Sequence, residues 1–298
     1  MTLPNFLIFG VQKAGTTSIY SYLQQHPQVF MSPRKETEFL GRDQMQPTDN
    51  KTLLTPGGRK QIATIEDYQA LFEGVTNEIA IGEASPNYLF LHERAVPAIQ
   101  KHVPKAKLIA ILRNPVERAY SDYLMHVREV VGNQKPLAEQ VKQSADSSFT
   151  LLKGRYFAGI KHFLKAFGPQ QVKICLYEEL RQDAAALMAD LYSFIGVDAE
   201  FAVDAGQRQQ KASVPKNQSI NQLLRTNNPV RSAVGTLLRT VMPEEIRQQL
   251  RSRLIAANSA GKEAMPLAES DRQLLKDYYR EDILRLQGLI DRDLSAWL

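Results

Sequence analysis

Apolar residues in this chain follow two rhythms that take turns. Short runs rich in β-branched and aromatic side chains occur at Phe6 to Phe9, Val29 to Met31, Ile79 to Ile81, Lys107 to Leu112 and Val172 to Tyr177. Between them lie segments whose apolar positions recur three and four residues apart, such as Leu91 to His102 and Val116 to Arg128. A strand turns alternate side chains to one face and a helix every third or fourth. The succession therefore predicts an α/β fold, with a mostly parallel central sheet of about five strands flanked by helices. The connections are long enough for right-handed crossovers.

Gly41 to Lys60 and Glu129 to Lys153 break the alternation. Both are polar and contain Pro or Gly, and are expected to be long loops or irregular excursions that could border an acceptor site. After about Phe201 the strand-like runs stop, and Asn217 to Thr226, Pro243 to Ala257 and Leu267 to Ile290 read as helices. With no linker-like composition in between, residues 1–298 are expected to form a single domain, 1–200 as the α/β core and 201–298 as a helical C-terminal extension.

A chain of 298 residues with 43% hydrophobic content can bury a core without covalent staples. Its one cysteine, Cys175, lies in an apolar run and reads as a small buried hydrophobe. Phe6 to Phe9 is too short to span a bilayer and lacks a basic leader, so neither a signal peptide nor an integral membrane segment is expected, and the cytoplasm is the expected location. A net charge of +5 suits an anionic ligand but not the concentrated basic stripe of a nucleic-acid binder. His26, His92, His102, His126 and His162 form no ligand spacing with the cysteine, so no metal site is expected.

The chemistry gathers at Gly10-Val-Gln-Lys-Ala-Gly-Thr-Thr-Ser18. A strand, a loop with Gly10 and Gly15, and a helix opening at Thr16 and running to about Gln25 would aim unpaired backbone N–H groups and the positive helix end at an anion. The glycine spacing matches the nucleotide-triphosphatase loop G-x-x-x-x-G-K followed by Ser or Thr. Here, however, Thr16 stands in the lysine position and the loop's lysine is Lys13. The fourth strand ends in Arg113, where a magnesium-supporting aspartate would be expected. Both departures disfavour metal-assisted phosphoryl transfer. A terminal sulfuryl group carries less negative charge than a phosphoryl group, so one lysine with amide and hydroxyl donors could stabilise its transfer without a metal.

A second strand-turn-helix segment, Leu112-Arg-Asn-Pro-Val-Glu-Arg-Ala-Tyr-Ser-Asp-Tyr123, places Pro115 in a first helical turn. Arg113 and Ser121 there either clamp a phosphate or are structural, with Arg113 pairing Glu117.

Together these segments resemble the PAPS-dependent sulfotransferase family, PAPS being 3′-phosphoadenosine-5′-phosphosulfate. Ser32-Pro-Arg-Lys-Glu-Thr-Glu-Phe-Leu40 and Gly82-Glu-Ala-Ser-Pro-Asn-Tyr88 are similar to motifs of its heparan-sulfate-type branch, and Gly154-Arg-Tyr-Phe-Ala-Gly-Ile160 through Tyr177-Glu-Glu-Leu180 and Asp282 to Leu298 also resemble the family. The resemblance implies that Lys13, Ala14, Gly15, Thr16, Thr17 and Ser18 hold the 5′-phosphosulfate, and that Arg113 and Ser121 hold the 3′-phosphate. Many heparan-type enzymes carry lysine where this chain has Ala84, so Glu83 and Ala84 receive no catalytic role. Their cysteine-bounded loop is absent too, leaving Lys211 as a stand-in for its nucleotide contacts.

An acceptor alcohol needs a base. The resemblance gives that role to Glu36, which otherwise reads as an exposed acid paired with Arg34 or Lys35; His126 is the second choice. Lys13 would stabilise the transferring group. The acceptor is expected to bear a hydroxyl on a glycan, a small-molecule or lipid alcohol, or a carrier-protein-bound hydroxyacyl chain. The alternatives are a P-loop kinase or nucleotide-binding module using ATP, and a non-catalytic scaffold.

Overall fold

The computed structural model describes residues 2–42, 62–204, 213–226 and 243–298. The chain divides into two compact units, the first comprising Met1–Arg118, Lys153–Gln209 and Tyr279–Leu298, the second Ala119–Leu152 and Gln210–Tyr278.

In the first unit the elements run β1 (Phe6–Gly10), α1 (Thr16–Leu23), β2 (Val29–Met31), α2 (Ile65–Gln69), β3 (Ala80–Ala84), α3 (His92–His102) and β4 (Lys107–Leu112), followed by the start of α4 (Pro115–Glu129). The second unit takes the rest of α4, then α5 (Leu137–Ser144) and α6 (Phe149–Leu152). The first resumes with α7 (Phe157–Phe167), β5 (Val172–Leu176), α8 (Tyr177–Gln182) and α9 (Ala184–Ile195).

The five strands form one sheet in the order β2-β3-β1-β4-β5, and every pairing is parallel. β1 lies at the centre and is buried along its whole length, so it carries apolar side chains on both faces rather than an alternation. From β1 the chain goes out to β2, returns to β3, and then crosses to β4 on the opposite side of β1. The carboxyl end of β1 is thus the point where the winding reverses, and in open parallel sheets that crevice takes the ligand.

The expected strands are present, with one shifted. Ile79 is 55% exposed and lies outside the sheet, and β3 instead runs on through Gly82, Glu83 and Ala84. Two features masked it: a Cβ on Gly82 would run into Phe6 and Met31, so only glycine fits, and Glu83 is a fully buried carboxylate in a strand core. Cys175 is buried as expected, and burial pushes its thiol up to about 12.

The second unit corrects one expectation. Glu129 to Lys153 is not a long loop, since it contains α5 and α6. A polar residue hid the period: Gln140 is buried on α5, accepting from Ser148 Oγ (2.6 Å) and donating to Lys135 O (2.7 Å). The C-terminal helices α10 (Gln218–Arg225), α11 (Glu244–Ala257) and α12 (Glu269–Ile290) match the sequence reading, and Tyr279 onward on α12 belongs to the first unit. The three-residue strands β6 (Ser213–Pro215) and β7 (Ser259–Gly261) pair antiparallel in the same region, too short to show a period. Lys211 and most of Gly41 to Lys60 lie outside the described residues.

Candidate functional site

The loop after β1 is shaped by two residues in the left-handed region, Lys13 at φ 71° and Gly15 at φ 90°. Gly15 caps α1, its carbonyl accepting from Ser18 N (2.9 Å) and Ile19 N (3.1 Å). A side chain there is excluded twice. The backbone angle disfavours one, and a Cβ would sit 2.7 Å from Leu180 Cδ2 and 3.3 Å from the Tyr177 ring. The start of α8 thus presses the loop into its turn.

Arg113 leaves the end of β4 and donates from Nη1 to the Lys13 carbonyl at 2.8 Å. Its guanidinium lies 4.7 Å over the Tyr177 ring and 3.9 Å from Glu117. The Glu117 pairing weighed from the sequence is therefore present, beside a contact with the glycine-rich loop. The Arg113 carbonyl accepts from Tyr156 Oη (2.9 Å), whose own amide donates to Asp282 (2.7 Å). Lys153 Nζ donates to Gln12 Oε1 on the loop's opening turn at 2.8 Å.

The candidate base stands on another segment. Glu36 follows β2, is tied to β3 by its amide donating to Ala84 O (2.8 Å), and has φ 59°, an uncommon angle for a residue with a Cβ. Its side chain is 43% exposed, open to a substrate. Lys35 beside it was read from the sequence only as a partner for Glu36. The structure adds a second contact: Lys35 Nζ lies 3.6 Å from Glu36 Oε1 and donates to Thr17 Oγ1 at 2.6 Å. An ammonium therefore reaches the first turn of α1 from outside the loop, where the triphosphatase lysine is missing. Burial holds this lysine below its usual pKa, and Glu36 opposes the shift.

Behind Glu36, Thr37 is buried and donates to Glu83 Oε1 at 2.8 Å. Glu83 also accepts from Ser85 Oγ, from Tyr68 Oη (3.0 Å) and from Tyr88 Oη (3.0 Å). Burial holds its carboxyl above the usual carboxylate range, against the opposing pull of these hydroxyls. The contact of Lys35 with Thr17 and the hydroxyl cluster around Glu83, which received no catalytic role from the sequence, are what the sequence reading missed. Their sequence signals were adjacency to Glu36, an acid inside an apolar run, and a place in two of the segments that resemble the family.

Ser121 and His126 are on the α4 turns of the second unit. His126 Nδ1 lies 3.3 Å from Thr150 Oγ1 of α6, and a Cβ on Gly132 would sit 3.1 Å from its ring. Within the first unit, then, Lys13 and Arg113 come together, as do Thr17, Lys35 and Glu36.

A family model described as Sulfotransferase family matches residues 4–201, about two thirds of the chain and the whole glycine-rich loop and sheet. The chain belongs to the sulfotransferase family. It is 32% identical over 215 residues to the human bifunctional heparan sulfate N-deacetylase/N-sulfotransferase 3, covering 65% of this chain and 22% of the relative. It is 32% identical over 162 residues to the membrane-associated sulfotransferase kil1 of Dictyostelium discoideum, covering 52% of this chain and 31% of the relative. The chain thus spans under a third of these relatives' lengths. The crystal structure of a sulfotransferase from Alicyclobacillus acidocaldarius superposes with a TM-score of 0.72 at 27% identity, covering 100% of this chain and 99% of that one. Its α/β scaffold is accordingly that of a sulfotransferase. Among the described residues no helix is long and apolar enough to cross a membrane.

Proposed function

We propose that this sulfotransferase uses PAPS as donor and an acceptor hydroxyl as nucleophile, by in-line displacement, and releases adenosine 3′,5′-bisphosphate. The observation that carries this reading is the Thr17, Lys35, Glu36 cluster, which sets a carboxylate and an ammonium at the N-terminal turn of α1. A helix N-terminus following a glycine turn favours an anion, and the residues around it fit a phosphosulfate: hydroxyls at Thr16, Thr17 and Ser18, and ammonium groups at Lys13 and Lys35.

When bound, PAPS supplies an activated sulfuryl group. Glu36 takes the proton of the acceptor hydroxyl as its oxygen bonds to sulfur, and the electron pair of the breaking S–O bond leaves on the 5′-phosphate. Lys13, the loop amides and Lys35 stabilise charge on the transferring group and on the departing phosphate. Ala14 and Gly15 contribute backbone amides; Arg113 and Ser121 are proposed for the 3′-phosphate and Lys211 for further nucleotide contacts, on the strength of the sequence resemblance. His126 stays second choice for the base, because the exposed Glu36 stands beside the α1 turn while the His126 ring is engaged by Thr150. Residues 1–298 acting as one domain, in the cytoplasm, on a glycan, an alcohol or a carrier-bound hydroxyacyl chain, belong to the same reading.

Calorimetric titration tests the donor: the reading expects tight adenosine 3′,5′-bisphosphate binding without magnesium, and a preference for Mg·ATP would reject it in favour of a kinase. Glu36→Gln is expected to lose most turnover while keeping bisphosphate affinity within a few-fold. Normal turnover in that variant would remove Glu36 as the base.

A further inference from the structure

The segment that carries Glu36 is irregular, yet it is held at nearly every residue. Glu36 and Glu38 both have positive φ, 59° and 54°, in the left-handed region that residues with a Cβ adopt only at a cost. Something must over-determine that backbone.

Three consecutive amides just past Glu36 show what does. Glu38 N donates to Ser85 Oγ (3.0 Å), Phe39 N to Thr37 Oγ1 (3.3 Å), and Leu40 N to Tyr88 Oη (3.2 Å). An amide can only donate, so each of these hydroxyls is an acceptor toward the turn and has its own proton left to give. All three hydroxyls lie against one group: Ser85, Thr37 and Tyr88 each contact the Glu83 carboxylate, which also takes a fourth hydroxyl proton from Tyr68. A carboxylate offers about four acceptor positions and no proton when ionised. Four O–H donors fill it, and three of them, Ser85, Thr37 and Tyr88, form relays that run from a turn amide through a hydroxyl into Glu83.

We propose that Glu83 is a positioning residue for the base: an ionised, fully buried carboxylate that fixes the direction of three hydroxyl relays and through them the backbone that aims Glu36. The inference rests on the assignment of Glu36 as base. The shape of the side chain is not what matters here. Glu83→Gln keeps volume and buried position but brings two N–H protons into a site where four hydroxyls already point inward, so the hydroxyls facing the new amide must turn from donors into acceptors, and the relay among them loses the fixed direction that holds its turn amide. Thr37→Val removes a single relay and leaves Glu83 ionised.

The test combines hydrogen exchange with kinetics. Amide exchange at Glu38, Phe39 and Leu40 is expected to speed up at least ten-fold in Glu83→Gln, with β1 and β4 amides unchanged, and in Thr37→Val to speed up chiefly at Phe39. Unchanged protection across the three amides would overturn the proposal whatever the activity. In the transfer assay, kcat is expected to fall roughly ten- to hundred-fold, the cost of a base displaced by about an ångström, with donor KM within two-fold. In a Glu36→Gln background the same substitution should cost nothing more, because Glu83 acts only through Glu36; an additive loss would overturn the proposal and assign Glu83 to general stability. If wild type transfers no sulfuryl group, the functional reading fails, while the exchange result still decides the positioning role. Should Glu83→Gln not fold, Thr37→Val carries the same comparison.

Discussion

Lys35 keeps an ammonium at 20% side-chain exposure, where burial lowers its pKa even with Glu36 nearby. A group whose charged form is disfavoured in the folded state costs stability at neutral pH. Lys35→Met is therefore expected to raise the thermal unfolding midpoint slightly while cutting kcat, a pairing that differential scanning fluorimetry and a turnover assay check together. The opposite holds at Gly15. Its φ of 90° and the 2.7 Å approach of Leu180 to any Cβ predict that Gly15→Ala destabilises by about 1–3 kcal/mol and weakens donor binding, read by denaturant titration and calorimetry. Glycine at position 15 was legible from spacing alone. The role of Lys35 was not, because its contact with Thr17 joins residues on two different elements, and no local pattern records which strand end lies beside which helix.

At the scale of elements, the strand-turn-helix units carried their own signals. Asn114 precedes Pro115 and accepts from Val116 N (3.0 Å) and Glu117 N (3.4 Å), an N-cap followed by proline at the first helical position. Asn114→Ala is expected to cost about 1 kcal/mol, measured by urea unfolding, and to weaken nucleotide binding through the start of α4. Elements were missed or misbounded where a polar residue took a buried place. Gln140 did so in α5, and Glu83 in β3. In both the side chain's partners, Ser148 and Lys135 or the four hydroxyls, compensate its desolvation, and those partners cannot be inferred from periodicity.

At the scale of the whole molecule, stability should respond to acid through histidine. His92 and His162 face each other at Nδ1 to Nδ1, 3.0 Å apart, and burial together with the charge of His162 holds His92 below its usual pKa. Burial lowers His102 as well. The unfolded chain then binds more protons than the folded one below the ordinary histidine range. Stability is expected to fall as pH drops from about 6.5 through the lowered values. Thermal melts between pH 7.5 and 5 check this, and His162→Gln, which removes the facing charge, should flatten the slope. The sequence by itself determined the parallel α/β sheet, the glycine-rich loop and the order of its motifs, since alternating periods and the Gly10 to Gly15 spacing are local properties of the chain. Tertiary structure alone decided that β1 sits between β3 and β4, that Lys35 reaches Thr17 from another segment, and that a buried Glu83 gathers the hydroxyls of Thr37, Ser85, Tyr68 and Tyr88 behind Glu36. The physical reason is shared: each depends on groups distant in sequence meeting where water is excluded, so that a single charge or hydroxyl must find its partner across the fold.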